Sequence, residues 1–189
     1  MARKKAPPKF DDTVVAAGID PSLVGFSICY MDANCNIIKF NPVYQDTGDR
    51  VDRLIYLATQ VEMSIQRMDP DMVFLEGYAF AKGHQAHQLG EIGGQVRRLL
   101  RENRCLFQVV PPKTLKKYVT GKGNAKKEVM LHHTYKSWGV GDDVLVDNNQ
   151  VDSYGLARMA MHTIFLEWKE TKERCQIIDR LRAANAQES

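Results

Sequence analysis

Ala17-Gly18-Ile19-Asp20-Pro21-Ser22-Leu23-Val24-Gly25-Phe26-Ser27 holds an apolar run that closes on one carboxylate, a Pro-Ser turn, and the start of a second apolar run. Val14 to Ile19 and Val24 to Tyr30 read as two strands of a β-hairpin, the first delivering Asp20 at its end. A carboxylate there is costly unless its charge is offset, and a divalent metal is the usual offset in a hydrolytic site. Taken alone, Asp20 serves equally well as the first residue of the Pro21-Ser22 turn. Its partners decide between the two.

Working outward, strand one covers 13–19, strand two 25–31, and Ile37 to Phe40 begins strand three after a turn at Asp32-Ala33-Asn34. These form an antiparallel meander. Val51, Leu54, Ile55, Leu57, Ala58, Val61 and Ile65 recur at helical spacing over 49–68, and Asp69-Pro70 stops that helix. Met72-Val73-Phe74-Leu75 is a buried strand that ends at Glu76. A loop with Tyr78, Phe80 and Lys82 leads to a helix over 87–104. A strand over 106–110 ends at Pro111-Pro112, and a short helix covers 114–119. Further helices are expected over 125–137 and 150–167, with a turn at 142–147 between them. The expected layout is a basic arm over 1–12, one α/β domain over 13–168, and a charged helical tail over 169–189.

The 189 residues, 44% hydrophobic and 26% charged, suit one soluble domain, and no apolar run reaches the length of a membrane span. The N-terminal arm carries Arg3, Lys4, Lys5 and Lys9 without the apolar core of a signal peptide, which predicts a cytoplasmic protein. Cys29, Cys35, Cys105 and Cys175 are scattered, which argues against a zinc ribbon and against disulfides. The formal charge is only +3, but bases crowd into 97–104 and 113–127 and acids into 46–52 and 142–152. A basic surface beside an acidic pocket suits a protein that holds a polyanion against a metal; ordinary solvated faces give the same statistics for 97–104.

Asp20, Glu76 and Asp152 are acids at strand or helix ends. If strands one and four are neighbours, two of them leave the sheet at one end, and a helix crossing that end brings Asp152 to them. Such a cluster is stable mainly with a cation bound.

Four blocks carry a resemblance to a known family. They are Gly18-Ile19-Asp20-Pro21-Ser22-Leu23-Val24-Gly25, Val73-Phe74-Leu75-Glu76, Lys116-Lys117-Tyr118-Val119-Thr120-Gly121-Lys122-Gly123-Asn124-Ala125-Lys126-Lys127, and Asp152-Ser153-Tyr154-Gly155-Leu156-Ala157. In this order and spacing the chain resembles the RuvC-type Holliday junction resolvases of the RNase H-like superfamily, particularly versions carried by bacteriophages. In the first block the closing glycine comes one residue sooner than in the family pattern.

The resemblance implies an RNase H-like α/β fold with a mixed five-stranded sheet flanked by helices. It implies a metal-dependent endonuclease cutting four-way junctions, with Mg2+ as cofactor and Mn2+ substituting. Asp20, Glu76 and Asp152 match metal-binding carboxylates, and Lys116 and Lys127 match residues that hold scissile phosphates, Lys127 also in the catalytic group. Lys113, Lys117, Lys122 and Lys126 are candidates for further phosphate contacts, with plain solubility as the alternative for each. Tyr78 and Phe80 flank the position, Ala79, where the family stacks an aromatic on bases, and Lys82 joins them as a DNA contact; the alternative is that the rings cover the sheet edge.

Asn149 stands where many members carry another acid or a histidine. It offers a carbonyl oxygen to a metal but no charge, or cedes the role to Asp147. Two symmetric cuts imply a homodimer, with Gly90, Gly93 and Gly94 of the second helix as its seam. The rival readings are a non-catalytic protein that binds branched DNA and a nuclease acting on RNA–DNA hybrids. A phage-encoded version would work in the host cytoplasm.

Overall fold

The computed structural model describes residues 14–22, 25–44, 48–77, 85–145, 147–166 and 170–188. Strands β1 (Val15–Pro21), β2 (Gly25–Asp32) and β3 (Ile37–Tyr44) form the expected meander, followed by α1 (Arg50–Met68) and β4 (Met72–Glu76). Then come α2 (Gln85–Glu102), β5 (Phe107–Val110), α3 (Pro112–Thr120), α4 (Lys127–Trp138), α5 (Asn148–Ile164) and α6 (Lys172–Glu188). The sheet order is β3-β2-β1-β4-β5. Pairs β3-β2 and β2-β1 are antiparallel, and β1-β4 and β4-β5 are parallel. The mixed five-stranded sheet is therefore as expected, and strands one and four are neighbours.

The alternation of side chains along a strand sorts this sheet into two cores. Ala17 and Ile19 of β1, Ile28 and Tyr30 of β2, and Val73 and Leu75 of β4 face one side. There they meet Leu57, Val61 and Ile65 of α1 and Ile92, Val96 and Leu100 of α2. Ala16, Cys29, Met31 and Phe74 face the other side, against Leu115 and Tyr118 of α3 and Leu156, Ala157 and Ala160 of α5. By the same parity Asp20 and Glu76 belong to the α5 side, two residues beyond Gly18 and Phe74. Those two lie opposite each other in the β1-β4 register.

Gly18 allows α5 to cross β1 closely. A Cβ at this position would stand 2.1 Å from the Ser153 carbonyl oxygen and 2.4 Å from the Ala157 backbone nitrogen. A buried hydrogen bond of 2.8 Å between the Ser27 and Ser153 hydroxyls fixes α5 along the neighbouring strand.

Helix α5 begins at Asn148, two residues earlier than expected, because the Asp147 side chain accepts the Gln150 N–H at 2.8 Å and caps it. It ends at Ile164, short of the expected 167. Helix α4 begins at Lys127 rather than at 125. Asp49 caps α1 by accepting the N–H groups of Val51 and Asp52.

The segment expected as a charged helical tail holds α6, which seats Ile177 and Ile178 in the core. Beneath it lies a buried ionic cage. The Glu170 carboxylate meets Arg174 at 2.6 Å and Arg158 at 3.2 Å, and both guanidinium groups stack on Trp138. Arg174 also donates to the carbonyl oxygens of Tyr118 and Val119, at the last turn of α3. Burial pushes the Glu170 carboxyl up, but the hydrogen bond and charge of Arg174, with Arg158, outweigh it and hold it below its ordinary range.

Removing one member of a buried ion pair leaves the other uncompensated, at about 3–5 kcal/mol. Arg174→Met is therefore expected to lower unfolding stability by about that amount in urea titrations. A loss under about 1 kcal/mol, the worth of a surface pair, would contradict the cage.

Candidate active site

The period-two pattern of β1 and β4 brings Asp20 and Glu76 side by side at the same end of two parallel strands. Helix α5 then crosses that end and adds Asp152. Each of the three offers a carboxylate oxygen within 4.8 Å of the others. Asp20 and Asp152 are buried, at 5% and 4% exposure, and Glu76 is half-buried. Asn149 and Asp152 are three apart on α5 and so share a face, and both line the same pocket. The pocket has a volume of about 340 Å³ and is also lined by Leu89 of α2, Pro112 and Lys116 of α3, and Lys127 of α4.

The electrostatics are those of a site built around charge that the protein itself does not fully neutralise. Burial, then the charge and hydrogen bond of Glu76, then the charge of Asp152 push the Asp20 carboxyl well above its ordinary value; Lys127 pulls it down. Burial also raises Glu76; its hydrogen bond with Asp20 lowers it, the charge of Asp152 raises it and Lys127 and Lys116 lower it, and the net shift is upward. Asp152 is raised by burial, against the pull of Lys127 and Lys116. Lys127 Nζ lies 3.2 Å from Asp152 Oδ2. Lys127 is also the first residue of α4, where a cation opposes the helix dipole, and Asp152 offsets that cost.

Asp152 Oδ1 is buried and, among the described residues, accepts no hydrogen bond. An orphaned acceptor among three clustered carboxylates, with an amide carbonyl from Asn149 nearby, is an all-oxygen donor set that fits a hard divalent cation.

Of the residues singled out from sequence, Asp20, Glu76, Asp152, Asn149, Lys116 and Lys127 share this pocket. Lys113 and Lys122 do not line it; Lys113 faces a groove between α3 and α6, and Lys122 is exposed in the loop before α4. Asp147 is occupied as the cap of α5 and does not line the pocket. Tyr78, Phe80 and Lys82 lie outside the described residues. Sequence reasoning missed Leu89, an apolar helix residue with no chemical signature, and Ser153, whose hydroxyl ties α5 to β2.

A family model described as crossover junction endodeoxyribonuclease RuvC matches residues 16–136. The chain belongs to that family. Asp20, Glu76, Lys116 and Lys127 fall inside the matched stretch, and Asn149 and Asp152 lie beyond it.

Among RuvC relatives, the crossover junction endodeoxyribonuclease of Rickettsia typhi is 24% identical over 155 residues, covering 79% of this chain and 98% of its own length. That of Brachyspira hyodysenteriae is 27% identical over 127 residues, covering 62% and 77%. The structure of Thermus thermophilus RuvC in complex with Holliday junction substrate superposes with a TM-score of 0.69 at 19% identity, over 81% of this chain and 94% of that one. The yeast mitochondrial Holliday junction resolvase Ydc2 gives a TM-score of 0.56 at 14% identity, covering 94% and 87%. These neighbours and the strand order agree on an RNase H-like α/β fold.

Proposed function

We propose that this chain is a divalent-metal-dependent endonuclease that cuts four-way DNA junctions by attack of water on a phosphodiester. The observation that carries this reading is the convergence of three carboxylates and two lysines in one pocket of a RuvC-family chain. A Holliday junction bound to a structural neighbour in the family supports the choice of substrate.

Asp20, Glu76 and Asp152, with the Asn149 carbonyl, would hold the cation; Mg2+ suits the hard oxygen set and Mn2+ substitutes. When bound, such a cation lowers the pKa of water and offsets charge on phosphoryl oxygens. The protein's own contribution is positional. Burial of the carboxylates keeps them from turning to solvent, and the β1-β4 register fixes the spacing of two of them. Lys116 and Lys127, on separate helices, place positive charge where non-bridging oxygens gain charge in the transition state. Water forms the new bond to phosphorus as the ester oxygen leaves, giving a phosphate and a hydroxyl end.

Two cuts on opposed strands require two such pockets, so the reading includes a two-fold homodimer. The surface of α2 at Gly90 and Gly94, where an added Cβ would meet nothing within 4 Å among the described residues, supports its placement there, whereas Gly93, expected in the same seam, is buried.

The test is cleavage of a labelled immobile four-way junction, with a flap and an RNA–DNA hybrid for comparison, in Mg2+ and in Mn2+. The expected result is paired symmetric nicks in the junction that disappear in Glu76→Gln while binding is kept. Binding without nicks in either metal would make the chain a junction-binding protein and point to the uncharged Asn149. Preferred cutting of the hybrid would move the substrate to RNA–DNA duplexes.

A further inference from the structure

Helix α3 carries lysines on two neighbouring faces, and only one of them belongs to the carboxylate pocket. Pro112 and Lys116, four apart, line that pocket. Lys113 and Lys117, also four apart, line a second groove of about 310 Å³ between α3 and α6. Arg180 of α6 enters it from the opposite wall, and Ile177 and Leu181 form an apolar floor. Gly123 completes the rim; a Cβ there would stand 3.1 Å from the Lys113 carbonyl oxygen, so the loop before α4 lies directly on α3.

We propose that this groove is a second DNA-backbone site, which takes phosphates of a duplex arm beside the strand held in the carboxylate pocket. The inference rests on the endonuclease reading for its substrate. Three observations carry it. No carboxylate among the described residues lines the groove: Asp179 precedes Arg180 on α6 but stays outside it. Lys113, Lys117 and Arg180 are exposed, and among the described residues none of them is ion-paired. On other surfaces Arg50 and Arg98 are held by Glu91 and Glu102. Three unneutralised cations in one concave site repel each other and focus a positive potential, a cost that an incoming polyanion removes. Finally, Lys116 and Lys117 are adjacent on one helix. Their side chains leave the helix about 100° apart, so the groove adjoins the carboxylate pocket around one short helix. The apolar floor suits the lysine and arginine stems, which cover it while their charged ends stay in water.

Neutralising phosphates releases counterions, so each such contact adds about 0.9 to the slope of log affinity against log salt. Binding is measured for the full chain with magnesium, in a Glu76→Gln background so that the DNA stays whole. The probes are a four-way junction and a linear duplex. The Lys117→Ala/Arg180→Ala double variant is expected to have a slope shallower by about 1.8 on both. Between 50 and 200 mM salt its loss of affinity is then smaller by about 12-fold. Arg180→Lys, which keeps the charge, is expected to retain the parent slope.

A double variant with the parent slope on both DNAs overturns the groove, as does a parent protein whose binding to both is insensitive to salt. Thermal melts of the double variant should overlay the parent, because both positions are exposed; a lowered melt together with a slope that Arg180→Lys also loses counts against the groove. Cutting by the wild-type chain is followed separately. If it leaves junctions uncut while the duplex slope still shallows in the double variant, the endonuclease reading falls and the groove stands.

Discussion

Asp20→Asn is expected to remove junction cleavage, by a factor on the order of 10³, and at the same time to make the metal-free protein more stable at neutral pH. The two effects share one cause. Asp20 is buried among two other carboxylates, and burial, Glu76 and Asp152 all push its carboxyl well above the ordinary value. A folded-state pKa above the unfolded one means that the folded chain holds more protons as pH rises past the ordinary carboxylate range. Stability is then full below that range and falls as pH climbs toward the raised value. Glu76 and Asp152 are raised too and add to the same slope.

Without divalent metal, the wild-type chain should therefore melt at a higher temperature near pH 5 than near pH 7.5. Asparagine at position 20 removes one of these charges. It should raise the melting point at pH 7.5 by several degrees, at about 2–4 °C per kcal/mol for a chain of this size, and bring little gain at pH 4. Adding Mg2+ or Mn2+ to the wild type should flatten its pH dependence, because the bound cation offsets the same repulsion. Scanning calorimetry across pH, beside single-turnover cleavage, measures both halves. An Asp20→Asn chain that melts lower than wild type at pH 7.5 would refute the electrostatic account of the site.

Gly18→Ala is expected to cost both folding stability and cleavage. The added methyl would meet the Ser153 carbonyl oxygen at 2.1 Å, the Ala157 nitrogen at 2.4 Å and Leu156 Cβ at 2.7 Å. Two of these are backbone atoms of α5, so no side-chain rotation relieves them and the helix must back away from β1. Overpacking usually costs 1–3 kcal/mol, and a clash with backbone belongs at the top of that range. We expect a loss of about 3 kcal/mol and a fall in melting temperature of roughly 6–12 °C.

Cleavage should fall beyond what the folded fraction explains, because Asp152 rides on α5 while Asp20 stays on β1. A misplacement of about 1 Å at a catalytic site can cost on the order of 10²-fold. Rates measured well below the melting point, normalised to folded protein, separate the two losses. Full activity in the folded fraction would show that α5 relaxes without moving Asp152.

Much of this site was legible in the sequence, because its carboxylates end short apolar runs. The runs before Asp20 and Glu76 named the strands, and their period-two parity is enough to put both acids on one face once β1 and β4 are known to be neighbours. Asp152 is marked only by its sequence block. Its helix reads two residues short at its start because the acids of 142–147 look like a turn, although Asp147 with Gln150 three residues on has the capping-box spacing that marks a start at Asn148. Gly18 stood inside the quoted motif, yet a glycine in a strand signals only that something comes close, and the identity of that neighbour, α5, is a tertiary fact. The cage around Glu170 was not legible at all. Glu170 and Arg174 at i,i+4 in a charged stretch look like an ordinary solvated pair, and only their burial beneath α6 makes them anything else.

That cage also constrains how such a chain can change over generations. Arg158, Glu170 and Arg174 sit on three successive parts of the chain and share two carboxylate oxygens and one indole ring. Losing Glu170 first would leave two buried guanidinium groups facing each other, and losing either arginine first would weaken the hold on the last turn of α3 or on the indole. Single steps away from the trio all lead downhill in stability, whereas replacing the set together by apolar residues of matching volume need not. The C-terminal helix is for that reason hard to shed by gradual substitution, although it lies beyond the part of the chain that the family model matches.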